Sequence, residues 1–239
     1  MNLNLEQLIK ICNAKCMIGE KLVNQIDFKN IEIQHLLYDS RRLNFIDNTL
    51  FFAFKTTNND GHKYIKELYN KGIRLFICEE LQDLNQFPDA VFLLVKNSLE
   101  ALQKIAKYKR DNFHKEVVAI TGSNGKTIVK EWIVQLAQEN KKICYSPRSY
   151  NSQIGVALSL WQLNTNYDLG LFEAGISKPN EMTRLQEMIQ PTIGIFTNIG
   201  SAHQINFSSL EEKIGEKLKL FSSCHTLICP EDDIFLYNI

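Results

Sequence analysis

The chain has 239 residues with 27 basic and 27 acidic side chains, 44% hydrophobic and 23% charged, so a packed core is within reach and a polyanionic partner such as nucleic acid is not indicated. No run approaches the roughly 18 apolar residues needed to span a bilayer, and the N-terminus MNLNLEQLIKIC lacks the basic, apolar and small-residue parts of a signal peptide. Six scattered cysteines with no Cys-x-x-Cys pair read as reduced thiols, and the expected compartment is the cytoplasm.

The first twelve residues put Leu5, Leu8, Ile9 and Cys12 on one helical face. Strand-like runs follow at 33–40, 49–54, 73–78 and 90–95, with helices expected at 62–70 and from 98 to about 110. The polar segment KYKRDNFHKE, 107–116, is the expected boundary, giving domains 1–114 and 115–239. Beyond it the pattern alternates regularly. Strands at 117–121, 142–145, 168–173, 192–197 and 225–229 are interleaved with helices at 126–139, 152–162, 180–189 and 209–221. That alternation predicts a mostly parallel sheet covered by helices, with ligands at the carboxyl ends of the strands. Cys224, His225 and Cys229 fit no common zinc spacing.

The turn TGSNGKT, 121–127, joins the first of these strands to its helix. Gly122 and Gly125 allow a tight bend whose N–H groups face an anion, and the helix adds the positive end of its dipole. Val129, Trp132, Ile133, Leu136 and Ala137 are expected to form the buried stripe of that helix. In a phosphate loop Ser123 and Asn124 complete the cradle, Lys126 reaches the terminal phosphates and the Thr127 hydroxyl binds magnesium. The usual G-x-x-x-x-G-K-[ST] pattern has a glycine where Ile120 stands. A plain glycine-containing strand-to-helix turn is the bland alternative.

If a magnesium nucleotide binds there, anionic and polar ligands belong at neighbouring strand ends. One strand ends in Glu173; another ends in Asn198, with His203 five residues on. Taken singly, Glu173 could cap a helix, Asn198 could make a turn, and His203 could be a surface histidine.

Their order changes the weighing. TGSNGKT, then NSQIGV (151–156), FEAG (172–175) and TNIGSAH (197–203) resemble the succession in the Mur ligases, the ATP-dependent amide-forming enzymes of peptidoglycan synthesis. YDSRRL (38–43), TLFFAF (49–54) and NDGHKYI (59–65) look like the N-terminal domain that holds the UDP end of the sugar substrate. Thr56 stands where that domain usually has glycine. The resemblance implies a small N-terminal α/β UDP-binding domain, then an incomplete P-loop, mostly parallel-sheet ATPase domain, with no C-terminal domain.

It also implies roles. Ser40 and Arg41 would meet the UDP-sugar, and Asn151 and Ser152 the sugar or acyl phosphate. Gly122 to Thr127 would bind ATP with Asn198. Thr127 and Glu173 would hold one Mg2+, and His203 with a carbamylated Lys217 a second. On pattern alone Lys213, Lys217 and Lys219 could equally be a wet helix face. The implied reaction is that of an ADP-forming peptide ligase, which joins D-alanyl-D-alanine to a UDP-N-acetylmuramoyl tripeptide through an acyl phosphate. FEAGISKPNEM further resembles the ligase half of chains carrying an alanine racemase. The ligase part is expected to be monomeric and, as a fragment, inactive alone. The rival readings are a UDP-sugar- or nucleotide-binding module, another ligase of this fold such as a folate-glutamate ligase, and a plain P-loop kinase.

Overall fold

The computed structural model describes residues 3–19, 21–22, 30–200 and 206–230. They form two compact units, Met1–Ile105 and Ala106–Ile239, so the division falls inside a helix, near the start of the polar segment 107–116.

In the first unit, β1 (Leu3–Asn4) leads into α1 (Leu5–Cys12). Asn4 and Gln7 start that helix with a reciprocal capping box, and Leu5, Leu8 and Cys12 are buried. Then come β2 (Lys15–Ile18), β3 (Lys21–Leu22), β4 (Glu32–Ile33) and β5 (His35–Leu37). The run expected as one strand over 33–40 is thus broken, ending in a 3-10 turn at Ser40–Arg42 capped by Asp39. β6 (Thr49–Phe52), α2 (Ile65–Asn70), β7 (Leu75–Cys78) and β8 (Val91–Leu94) complete the unit. The sheet order is β3-β2-β8-β7-β6-β5, parallel from β5 to β8. Phe51, Phe76 and Phe92 fill its core, with Phe76 and Phe92 stacked at 5.1 Å. The departing loop at Thr56 closes locally, the Thr56 N–H donating to the Asn59 carbonyl at 2.8 Å.

α3 (Ser98–Asp111) precedes the second unit's regular alternation. This runs β9 (Val117–Thr121), α4 (Lys126–Ala137), β10 (Ile143–Tyr145), α5 (Gln153–Trp161), β11 (Leu169–Glu173), α6 (Glu181–Ile189), β12 (Ile193–Phe196), α7 (Leu210–Leu218) and β13 (Thr226–Ile228). The five strands are all parallel, in the order β10-β11-β9-β12-β13. This is the mixed α/β, largely parallel architecture that the alternation predicts. Arg110 is buried beneath it, its guanidinium donating at 2.7 Å to the Ile189, Gln190 and Phe113 carbonyls. It thereby satisfies the carbonyl end of α6, which would otherwise lack partners.

One expectation holds only in part. The buried face of α4 is not the stripe through Trp132 and Leu136, which are 63% and 82% exposed. Lys130 and Val134 are buried instead, with Val129, Ile133 and Ala137 packed beside the core of Val118, Ile120, Ile143 and Leu171. At about 100° per residue the helix is turned by roughly a sixth of a revolution from the expected face. A lysine lies near the centre of the buried side, so counting apolar residues finds Val129, Ile133 and Ala137 but wrongly adds Trp132 and Leu136.

Candidate active site

The strand order decides the site. β9 lies between β11 and β12, pairing Ile120 with Glu173 on one side and Thr121 with Phe196 on the other. The 122–126 loop therefore emerges between the ends of the strands that carry Glu173 and Asn198. Thr121 ties the bend down, its hydroxyl donating to the Ala174 carbonyl at 2.8 Å.

Gly122 has φ +148° and Gly125 φ +81°, conformations in which a side chain is strained. A Cβ on Gly122 would also collide with Thr197 Oγ1. The loop is laced to the end of β12. Ser123 N–H donates to the Asn198 carbonyl at 2.9 Å, and Asn124 N–H to Asn198 Oδ1 at 3.0 Å. The Gly200 N–H donates to Ser123 Oγ at 2.9 Å, and Thr197 Oγ1 donates to the Asn124 carbonyl at 2.6 Å. In this structure Asn198 thus shapes the 122–126 loop.

Lys126 is half-buried at the start of α4, its ammonium folded back onto the Gly122 carbonyl at 2.8 Å. Burial lowers its pKa, and the Glu173 carboxylate partly opposes that shift. Thr127 Oγ1 donates to Glu173 Oε2 at 3.0 Å. Glu173 is fully buried, which excludes its being a solvated helix cap. Its Oε1 lies 3.0 Å from the Lys130 ammonium yet accepts no hydrogen bond. Glu173 Oε2 and the Thr127 hydroxyl are two adjacent hard oxygen donors on the side away from Lys130, so these residues fit a magnesium ion.

From α7, Lys213 and Lys217 turn inward, 1% and 4% exposed, so the wet-face reading fails for both and describes only the half-exposed Lys219. Lys217 Nζ donates to the Gly122 carbonyl at 3.1 Å, and Lys213 Nζ to the Gly200 carbonyl. Burial, then repulsion from Lys126 and Lys213, pushes the Lys217 amine from 10.5 down to about 7. Burial lowers Lys213 as well. Lys126, Lys213 and Lys217 line one small pocket of about 70 Å³ with Gly122, Ser123, Asn151 and Phe207. Three amines round one cavity repel each other and attract an anion.

Asn151 belongs both to this pocket and to a neighbouring one of about 230 Å³, lined by Ser152, Gln153, Ile176, Ser177 and Glu181. Its carbonyl accepts the Gly175 N–H at 2.8 Å, while Ser152 caps α5 by accepting the Gly155 N–H at 3.2 Å. In the other unit Ser40 is buried. Arg41 is exposed and held by Asp39 through two bonds of 2.9 and 2.8 Å, which keep the Asp39 carboxyl down at about 2. His62 of the Asp-Gly-His motif is buried, with Nδ1 2.6 Å from Asp60 and Nε2 accepting the Glu79 N–H at 3.0 Å.

The structure thus brings Lys126, Thr127, Glu173, Asn198, Asn151 and Lys217 to one end of one sheet. His203 lies outside the described residues. Two buried amines, Lys130 and Lys213, were not anticipated. Their signal was present in the spacing, since Lys130 falls one turn after Lys126 and Lys213 one turn before Lys217.

Residues 120–238 match the Mur ligase middle domain, and residues 32–110 match the Mur ligase family, catalytic domain. The chain belongs to the Mur ligase family. Among curated relatives, the UDP-N-acetylmuramoyl-tripeptide–D-alanyl-D-alanine ligase of Borreliella burgdorferi is 34% identical over 204 residues, covering 81% of this chain and 44% of the relative. The enzyme of the same name from Rickettsia prowazekii is 36% identical over 174 residues, covering 73% and 38%. This Mur ligase chain spans about half the length, or less, of the curated relatives it matches. Among solved structures, MurF ligase from Thermotoga maritima in complex with ADP superimposes with a TM-score of 0.75 at 26% identity, covering 86% of this chain and 47% of that one. MurF from Acinetobacter baumannii shares the fold, with a TM-score of 0.86 at 23% identity over 98% of this chain and 50% of that one. Among the described residues no helix is long and apolar enough to cross a membrane.

Proposed function

We propose that this chain contributes the UDP-sugar-binding and ATP-binding parts of a ligase that joins D-alanyl-D-alanine to a UDP-N-acetylmuramoyl tripeptide, acting in the cytoplasm. The observation that carries the reading is the convergence of Lys126, Lys217 and Asn151 on one pocket beside the Thr127–Glu173 pair.

The chemistry is phosphoryl transfer followed by acyl transfer. The terminal phosphate of ATP passes to the peptide carboxylate, giving an acyl phosphate and ADP. The dipeptide amine then attacks the acyl carbon, phosphate leaves with the bonding pair, and the amine loses its proton. Such reactions ask for positioning and charge neutralisation more than for covalent work by the protein. Lys126, released from the Gly122 carbonyl, follows the moving phosphoryl group, and the loop amides of 122–126 hold the phosphates. Thr127 and Glu173 are suited to hold magnesium, which when bound would neutralise the phosphate oxygens.

Lys217 has a separate part. A neutral amine adds to carbon dioxide and loses a proton to become an anionic carbamate, and burial among other amines favours that neutral form. The carbamate would replace one positive charge in the cluster by a negative one and supply two oxygens for a second cation, with His203 as its partner. Asn151 and Ser152 would meet the sugar or the acyl phosphate, and Ser40 and Arg41 the UDP end.

The test is binding followed by turnover. The chain is expected to bind both ADP and the UDP-linked tripeptide. Lys126→Ala should weaken only ADP, and Arg41→Ala only the sugar nucleotide. Amide formation measured together with ADP release, from all three substrates, separates a working ligase from a binding module. A chain that binds neither ligand refutes the reading.

A further inference from the structure

The reaction just described leaves Lys130 without a part, and its surroundings are unusual. Its side chain is 0% exposed, and taking an ammonium out of water costs several kcal/mol unless it is closely paired. Nζ donates to the Ser146 carbonyl at 2.8 Å and to the Arg148 carbonyl at 2.5 Å. It also lies 3.0 Å from Glu173 Oε1 and 3.0 Å from the half-exposed Glu131.

Two structures meet at this ammonium. One is Glu173, whose other oxygen faces Thr127. The other is the chain leaving β10. There Ser146 is wholly buried, its Oγ accepting the Glu173 N–H at 3.2 Å, and Arg148 is held at φ +51°. A non-glycine residue in that region carries backbone strain that neighbours must offset. Three residues further on come Asn151, which lines both pockets, and Ser152, the cap of α5.

We propose that Lys130 is a positioning residue that couples the metal–nucleotide end of the site to its substrate end: one ammonium fixes the Glu173 carboxylate toward Thr127 and fixes the 146–152 segment that presents Asn151. This rests on the reading of Glu173 as a magnesium ligand. A lysine can do this where an apolar residue cannot, because it donates to two carbonyls while its charge holds the carboxylate 3.0 Å away.

The experiment measures ADP affinity with Mg2+ and with EDTA for the full chain and for Lys130→Met, Glu173→Gln and the double variant, with melting curves for each. The expected result is that Lys130→Met loses about 10- to 100-fold of the magnesium-dependent gain, the usual effect of removing a group that orients a metal ligand, while ADP affinity in EDTA stays within about threefold. A lysine that only balances charge would lower the melting temperature and leave the magnesium gain intact, which overturns the proposal. Lys130→Met leaves a buried carboxylate unpaired and is the variant most exposed to misfolding. The double variant removes both charges and its melting curve separates the cost of the unpaired carboxylate from that of the lost lysine, while a Lys130→Met chain that does not fold leaves the decision to exchange on the unaltered chain.

Hydrogen exchange on the unaltered chain supplies a second reading. Mg·ADP should slow the amides of 148–152 relative to ADP in EDTA, and identical exchange overturns the coupling. Full magnesium gain in Glu173→Gln, or no gain in the unaltered chain, refutes the metal reading itself and the inference with it. Those outcomes are distinguishable from a failure confined to Lys130→Met.

Discussion

Lys217→Met puts the amine cluster to a quantitative test. Lowering the Lys217 pKa from 10.5 to about 7 corresponds to roughly 5 kcal/mol of preference for the neutral form in the folded chain. The unfolded chain keeps its proton until about pH 10.5, whereas the folded chain gives it up near pH 7. Below pH 7 both states are protonated, and the folded state bears the whole cost of the buried charge. Above pH 7 unfolding must take up a proton, so the chain gains about 1.4 kcal/mol of stability per pH unit from this residue. Methionine has no proton to exchange. The stability of the unaltered chain minus that of Lys217→Met should therefore rise by roughly 2–3 kcal/mol between pH 7 and 9, with the variant the more stable at pH 6. The assay is guanidinium chloride unfolding at several pH values in buffers free of carbon dioxide, which would otherwise trap the neutral amine. A difference that stays flat from pH 6 to 9 would refute the account of a desolvated cluster.

Three further outcomes are expected. With [13C]bicarbonate the chain should show a carbamate carbon signal that strengthens from pH 6 to 8 as Lys217 loses its proton; a signal surviving in Lys217→Arg would assign the carbamate to another lysine. Gly122→Ala meets both a φ of +148° and Thr197 Oγ1, so it should cost roughly 1–3 kcal/mol, and an unchanged melting temperature would contradict the loop geometry. Leu136→Gln, on the open side of α4, should change stability by less than about 0.5 kcal/mol. Val134→Ala, on the sheet side, should cost roughly 1–3 kcal/mol, and the reverse ranking would restore the face expected from the apolar pattern.

Much of the site is legible because its determinants are local. Gly122 and Gly125 sit where the backbone needs positive φ, Ser152 and Ser209 start helices as N-caps, and the strands are short apolar runs. The α4 face was misjudged for a physical reason. Trp132 and Leu136 look like core to a rule that counts apolar residues, but the helix turns to bring Lys130 onto Glu173 and two carbonyls. A buried ion pair between residues 43 positions apart leaves no periodic trace. Lys213 and Lys217 escape the same rule, because a lysine on a helix reads as solvated until its neighbours are known.

Chain-local chemistry determined which segments are strand, turn and helix, since capping, glycine conformation and apolar spacing act within a few residues. The order of the motifs along the chain carried the family. Only the tertiary structure decided that these segments share a site: β9 is inserted between β11 and β12, so the 122–126 loop, Glu173 and Asn198 meet at adjacent strand ends, and α7 turns two lysines inward beneath them. Those proximities come from strand pairing across 50 to 80 residues, and so do the burial of Lys130 and the lowered pKa of Lys217, because desolvation depends on the neighbours that only the folded sheet supplies.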